Sequence, residues 1–144
     1  MGIRRTYFKK VVRWKKRSKK RSSTPSISKL MKECDRRFSL TVRHSGASSD
    51  GFNVCFTCGK SFPVKKLHNG HYLSRYYKAA RWHRDNCRPQ CFMCNVWKKG
   101  DTVAFRRNLI SQIGEARVLD VEKLRDAPIK LTREYLESLL QSLL

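Results

Sequence analysis

Two Cys-x-x-Cys pairs constrain this chain more than any other feature: Cys55 and Cys58 in CFTCGK, and Cys91 and Cys94 in CFMCN. Four thiolates can converge tetrahedrally on one zinc ion at about 2.3 Å, leaving no open coordination position, so such an ion is structural. Residues 59–90 between the pairs exceed the usual zinc-ribbon spacing, so the knuckles frame an insert large enough to carry a site. Cys34 and Cys87 are left over. Cys34 reads as a buried apolar position and Cys87 has no assignable role.

Charge narrows the partner. Lys and Arg number 33 against 11 Asp and Glu, a formal charge of +22, far beyond what solubility asks. Such a field attracts polyanions, nucleic acid first and anionic membrane second. The placement is uneven: residues 1–32 hold 13 basic residues and no acid, whereas residues 115–144 hold 5 basic and 6 acidic ones. No apolar run is long enough to span a bilayer, and the N-terminus lacks the apolar core of a signal peptide. A reducing compartment, the cytoplasm, is expected, where paired cysteines bind metal rather than each other.

The length suits one compact domain with an appendage, divided here into a basic arm over 1–24 and a folded domain over 25–144. In the arm, Tyr7, Phe8 and Trp14 interleave with positive residues; Arg13, Trp14, Lys15, Lys16 and Arg17 are its candidate nucleic-acid contacts, cations releasing counterions and the ring stacking on bases. From Ser28, read as an N-cap, Leu30, Met31, Cys34 and Phe38 recur at helical spacing until the polar run 44–51 ends the helix. Phe62, Val64, Leu67 and Tyr72 suggest two short strands turning through Pro63 to Asn69. After Cys94 the pattern is helical, broken near Gly100 and Asp101 and stopped at Gly114. A last helix capped by Thr132 carries Leu136, Leu139, Leu140, Leu143 and Leu144 as an apolar stripe, which reads as core before it reads as interface.

Within the knuckled segment, phosphodiester hydrolysis would need an activated water, a cation to offset charge and a scaffold fixing both. His71 in NGHYLSR is the candidate base, working near neutral pH. Asn95, beside Cys94 at a helix start, is the candidate ligand for a hard divalent cation, Mg²⁺ or Mn²⁺. Asn86 would hydrogen-bond the backbone of the loop carrying His71 and fix its orientation.

The run GHY, then N-x-x-x-QC-x-x-CN-x-x-K-x-G, then L-I-S-x-I-G, closely resembles the NinG (Rap) recombination endonucleases of lambdoid phages over residues 28–144. The order His71, Asn86, Asn95 also resembles an HNH, or His-Me finger, nuclease. The resemblance implies an α+β fold: a small zinc-bound ββα-metal core with flanking helices, a hairpin presenting the histidine and one divalent ion at the start of the next helix. It further implies structure-selective cleavage of Holliday junctions and other branched DNA in phage recombination, leaving 5′-phosphate and 3′-hydroxyl ends. Two symmetric nicks would suit a homodimer, with the last helix's leucine stripe as a candidate contact.

Two departures stand out. Many HNH enzymes carry Asp or Glu directly before the base as a second metal ligand, where this chain has Gly70; the candidates to help Asn95 are DNA phosphate oxygens, His68 or Asp85. NinG-like chains often carry Glu near the position of Arg84. Arg75 is the candidate clamp on the scissile phosphate, and Lys78, Arg81, Arg84, Arg88, Lys98 and Lys99 are further candidate phosphate contacts. Two rival readings stand beside the nuclease: a non-catalytic zinc module binding DNA or RNA, and a sequence-specific HNH homing or restriction endonuclease.

Overall fold

A computed structural model describes residues 24–143, and every structural statement below concerns those residues. The arm residues Arg13, Trp14, Lys15, Lys16 and Arg17 lie outside them, as does Leu144.

The first helix, α1, spans Ile27–His44, with Leu30, Cys34, Phe38 and Val42 buried along one stripe. Its N-cap is Ser26, two residues ahead of the expected Ser28: the Ser26 side chain accepts from the Lys29 N–H, so the first turn already includes Ile27 and Ser28. The last helix, α4 (Arg133–Ser142), is capped by Thr132, whose side chain accepts from the Tyr135 N–H at 3.2 Å. Its leucines close onto α1. Leu136 is fully buried against Cys34, Phe38 and Trp82, and Leu131, Leu139, Leu140 and Leu143 pack around that cluster. The described leucines of the stripe therefore pack on the core, Leu136 buried and Leu139, Leu140 and Leu143 partly buried.

In sequence between these helices come two separate antiparallel ladders. Strands β1 (Phe52–Val54) and β2 (Ser61–Pro63) pair with each other across the first knuckle. Strand β3 (Leu67–His71) pairs with β4 (Cys87–Cys91), in a register placing Leu67 opposite Cys91, Gly70 opposite Arg88 and His71 opposite Cys87. The hairpin expected within 61–72 is thus corrected: β2 and β3 do not pair. A single 3₁₀ turn over Val64–Lys66 carries the chain out of one ladder and into the other, and both strands find partners elsewhere.

Beyond Cys91 the backbone winds into a π-type turn, Met93–Trp97, and then breaks at three consecutive left-handed residues, Lys99, Gly100 and Asp101. Helices α2 (Thr102–Ile113) and α3 (Glu115–Lys123) follow, separated at Gly114, whose φ of 82° only glycine adopts freely. Phe105, Leu109 and Val118 form their shared core, with Phe56 and Tyr72 packed onto it. The protein is mixed α+β with small sheets, and among the described residues no helix is long and apolar enough to cross a membrane.

Candidate active site and metal centre

The first knuckle turns tightly: the Gly59 N–H donates to Cys55 O at 2.9 Å, and Cys55 N–H to Lys60 O at 2.8 Å. The second knuckle leaves the end of β4. Together they place the sulfurs of Cys55, Cys58, Cys91 and Cys94 within 4.8 Å of one another, with Cys58 Sγ and Cys91 Sγ 3.9 Å apart. Tetrahedral sulfurs at about 2.3 Å from one ion would sit about 3.8 Å apart, so the donor set fits a structural metal ion such as zinc. The Cys91 N–H points at Cys55 Sγ, 3.3 Å away, as a backbone donor does toward a thiolate.

One cleft of about 930 Å³ opens between α1, strand β3 and the segment 95–102. His71 at the end of β3, Asn95 in the π-type turn, and Arg75, His68 and Lys99 all line it. The pairing of β3 with β4 is what brings them together, because Asn95 lies four residues past the strand opposite His71. Lys32, Arg36 and Arg43 of α1 and Lys65 also face this cleft, which makes it strongly basic. These four escaped the sequence reading. The signal was there: Lys32, Arg36 and Arg43 share the face of α1 opposite its buried stripe, at intervals of four and seven.

Asn86 is fully buried, and its carboxamide is spent on the loop that follows β3. Its Oδ1 accepts from Leu73 N–H at 2.7 Å, and its Nδ2 donates to Leu73 O at 3.0 Å and Ala80 O at 2.9 Å. A second tie to the same loop comes from α1. Asp35 accepts from Arg81 Nε at 2.9 Å and Nη2 at 2.6 Å, and from Trp82 Nε1 at 3.0 Å. The carbonyl of Arg81 in turn lies 3.2 Å from His71 Nε2, while His71 Nδ1 lies 3.2 Å from Asn69 O. A neutral ring donates to one of these carbonyls and keeps its other nitrogen as a base. Burial, with the charge of Arg75 acting in the same direction, lowers the His71 pKa below the ordinary histidine value and favours that neutral form.

The remaining candidates are placed elsewhere. Asp85 lines a different cavity, of about 600 Å³, with Arg84 and Arg88, and its carboxylate takes both Arg117 Nε and Nη2. It is therefore not a partner for Asn95 in the His71 cleft. Arg88 donates to Gln112 Oε1 and Arg84 O and lies over the Phe56 ring, and Arg81 is held by Asp35, so both are structural cations. Lys98 pairs with Asp101 at 3.3 Å; Lys78 is solvent-exposed. Asn95 makes no helix-capping hydrogen bond: the turn holding it has no side-chain cap. The two leftover cysteines belong to the core. Cys34 Sγ donates to Leu136 O, and burial pushes the Cys87 thiol up to about 12.

A family model described as Bacteriophage Lambda NinG protein matches residues 3–143 of the chain. No curated protein and no solved structure matches it.

Proposed function

The chain belongs to the NinG family, and from that premise we propose that it is a metal-dependent endonuclease of the HNH, or His-Me finger, kind, acting on branched DNA in phage recombination. The observation that carries the reading is the shared cleft: an imidazole on β3 and a carboxamide on the next helical turn face one basic groove. An antiparallel hairpin running directly into a helical turn is also the order of elements that a ββα-metal core requires.

In this reading His71 takes a proton from water, and the loop tied down by Asn86 and Asp35 holds the ring in place while it does so. Arg75 and Lys99 bind the phosphate, and the α1 cations Lys32 and Arg43 track the backbone beyond it, while Arg36 is already paired with Glu33 at 2.6 Å. Asn95 would hold a divalent ion, which would supply charge stabilisation for the phosphate and the departing oxygen. The four-thiolate ion takes no part in the chemistry; it fixes the hairpin against the turn that carries Asn95.

One observation favours the rival, a non-catalytic zinc module: both His71 nitrogens already lie 3.2 Å from backbone carbonyls, as in a purely structural histidine. Cleavage separates the two. Zinc-loaded protein is incubated with linear, flap and four-way DNA in Mg²⁺ or Mn²⁺, alongside His71→Ala. The nuclease reading expects metal-dependent nicking of branched substrates, reduced by about 10²–10⁴ in the variant. Nicking on none of them, or nicking untouched by the substitution, gives the case to the binding module. Cutting of linear duplex at one sequence, without branch preference, gives it to a homing or restriction enzyme.

A further inference from the structure

Residues 92–97, which leave β4 through the second knuckle, put four large apolar side chains in solvent: Phe92, Met93, Val96 and Trp97 are all exposed, Trp97 by 70%. The cysteine cluster dictates this. Cys94 has to face inward to meet the other three sulfurs, and a helical turn that buries position 94 leaves its opposite side bare. Residues four apart share a side of such a turn, so Phe92 and Val96 form the crest, Met93 and Trp97 one flank, and Asn95 and Lys99 the other. Asn95 and Lys99 line the His71 cleft, as does His68, whose ring lies 5.9 Å from that of Phe92 between centroids. An apolar ridge therefore runs along the rim of the cleft.

Single exposed apolar side chains are ordinary, but four on one turn form a patch that calls for an occupant. The charge around it says which kind. Residues 51–100 hold ten Lys or Arg and one acid, Asp85, which lines the other cavity and is paired there with Arg117. Lys98 and Lys99 follow Trp97 directly. A second copy of the chain would bring this segment's cations against their own kind, which disfavours it. Nucleic acid matches both properties, since its bases stack on aromatic rings while its phosphates meet the cations. In a continuous duplex the bases stack on one another; at a branch they are open, and an apolar side chain enters there at the least cost.

We infer that the ridge of Phe92, Met93, Val96 and Trp97 is a base-stacking wedge that enters DNA where its strands branch, with Trp97 as the leading ring. The inference rests on the nuclease reading for DNA as the substrate, and adds to it a source of branch preference. The cleft holds a phosphate, which every DNA offers, whereas the wedge separates an open base from a stacked one. Because the ridge and Asn95 share one turn, a wedge seated at the branch point also fixes how far from that point the scissile phosphate lies.

The test is binding of zinc-loaded protein to four-way, flap and linear DNA of equal length, read by fluorescence anisotropy without Mg²⁺ or Mn²⁺, with thermal melting as the control for folding. Trp97→Ala is expected to weaken binding to the branched DNAs about tenfold and to linear duplex less than about threefold, and Trp97→Phe to recover most of the loss. Lys99→Ala, on the phosphate side, is expected to weaken all three alike. In the unaltered protein, 5-iodouracil at the branch point is expected to photocrosslink to the peptide carrying Phe92 and Trp97, and the same base within linear duplex is not. Equal losses on branched and linear DNA in Trp97→Ala, or crosslinks that avoid residues 92–97, overturn the inference. So does a dimer in light scattering that Trp97→Ala dissolves, which gives the ridge to a second copy. Cleavage assays run in parallel keep the two readings apart. Branch-selective binding that depends on Trp97, with no cleavage of any DNA, removes the nuclease alone. Metal-dependent cleavage of branched DNA that is indifferent to Trp97→Ala removes the wedge alone.

Discussion

The two halves of this molecule are held together by different forces. Around α1 and α4 the interior is hydrocarbon: Leu30, Phe38, Val42, Trp82 and Leu136 form one cluster, with four more leucines packed onto it. Around the knuckles the buried cluster consists of Cys55, Cys91, Cys94 and Leu67, with Phe62 beside it. Three of those four buried side chains are metal-ligand candidates, so without an ion this cluster keeps little apolar interior of its own, and the first knuckle leans on the separate Phe105, Leu109 and Val118 core through Phe56. The difference teaches where the catalytic candidates stand. His71 and Asn95 project from the half that depends on the ion, and the helical half grips the loop between β3 and β4 from behind.

The sharpest way to break that comparison is to take the metal away. Chelation, or Cys55→Ala, forfeits binding free energy on the order of 10 kcal/mol and is expected to melt the β3–β4 hairpin and abolish cleavage, while α1 and α4 keep their helical signal. Amide exchange resolved by residue checks it, and equal loss of protection in both halves would contradict the division. Phe38→Ala should do the reverse. It is expected to cost the helical half about 3–5 kcal/mol and to leave the affinity for zinc within about twofold, read by denaturant melts and competitive chelation.

Asn86→Ala lies on the seam. It removes three buried hydrogen bonds to the loop and is expected to cost about 1–3 kcal/mol, with a larger loss in rate than in DNA affinity. Equal losses in both would make Asn86 merely structural. Thr132→Ala, at the far end of the helical half, should lower stability by about 1 kcal/mol with cleavage unchanged at a temperature where the fold is intact. The smallest effect is that of pH. Because the folded His71 pKa is depressed, the unfolded chain binds the extra proton more readily. Stability is therefore full above the ordinary histidine value of about 6.5 and declines as pH falls from there toward the lowered folded value. His71→Ala should flatten that decline, as melting temperatures across pH would show.

The same division explains what could be read from the sequence. Hydrocarbon periodicity announces α1 and α4, so the buried stripes and the Thr132 cap were legible, while the first cap slipped from Ser28 to Ser26 because both serines precede the periodic run. Cysteine spacing announces the metal cluster, and the roles imagined for Asn86 and for Asn95 beside a sulfur follow from it. Strand β4 announces nothing. Its five residues, CRPQC, alternate apolar with polar, but a central proline and two cysteines mask them as a strand. Its pairing with β3 spans a loop of fifteen residues, 72–86, a separation that local pattern does not encode, and the hairpin was therefore drawn between the wrong strands. Charge counting also overreached: Arg81 and Arg88 are basic in composition yet already committed to protein partners.

Asp35 deserves the last consequence. It sits on α1, twenty residues before the first knuckle, yet it holds Arg81 and Trp82 beside the carbonyl that meets His71. The stretch from Cys55 to Gly100 is therefore no transplantable cassette. Grafted without the leading helix, it would carry the proposed base and cation ligand but lack the splint that sets the imidazole's angle, so a search for relatives that share the proposed chemistry should demand an acid on that helix as firmly as it demands the histidine.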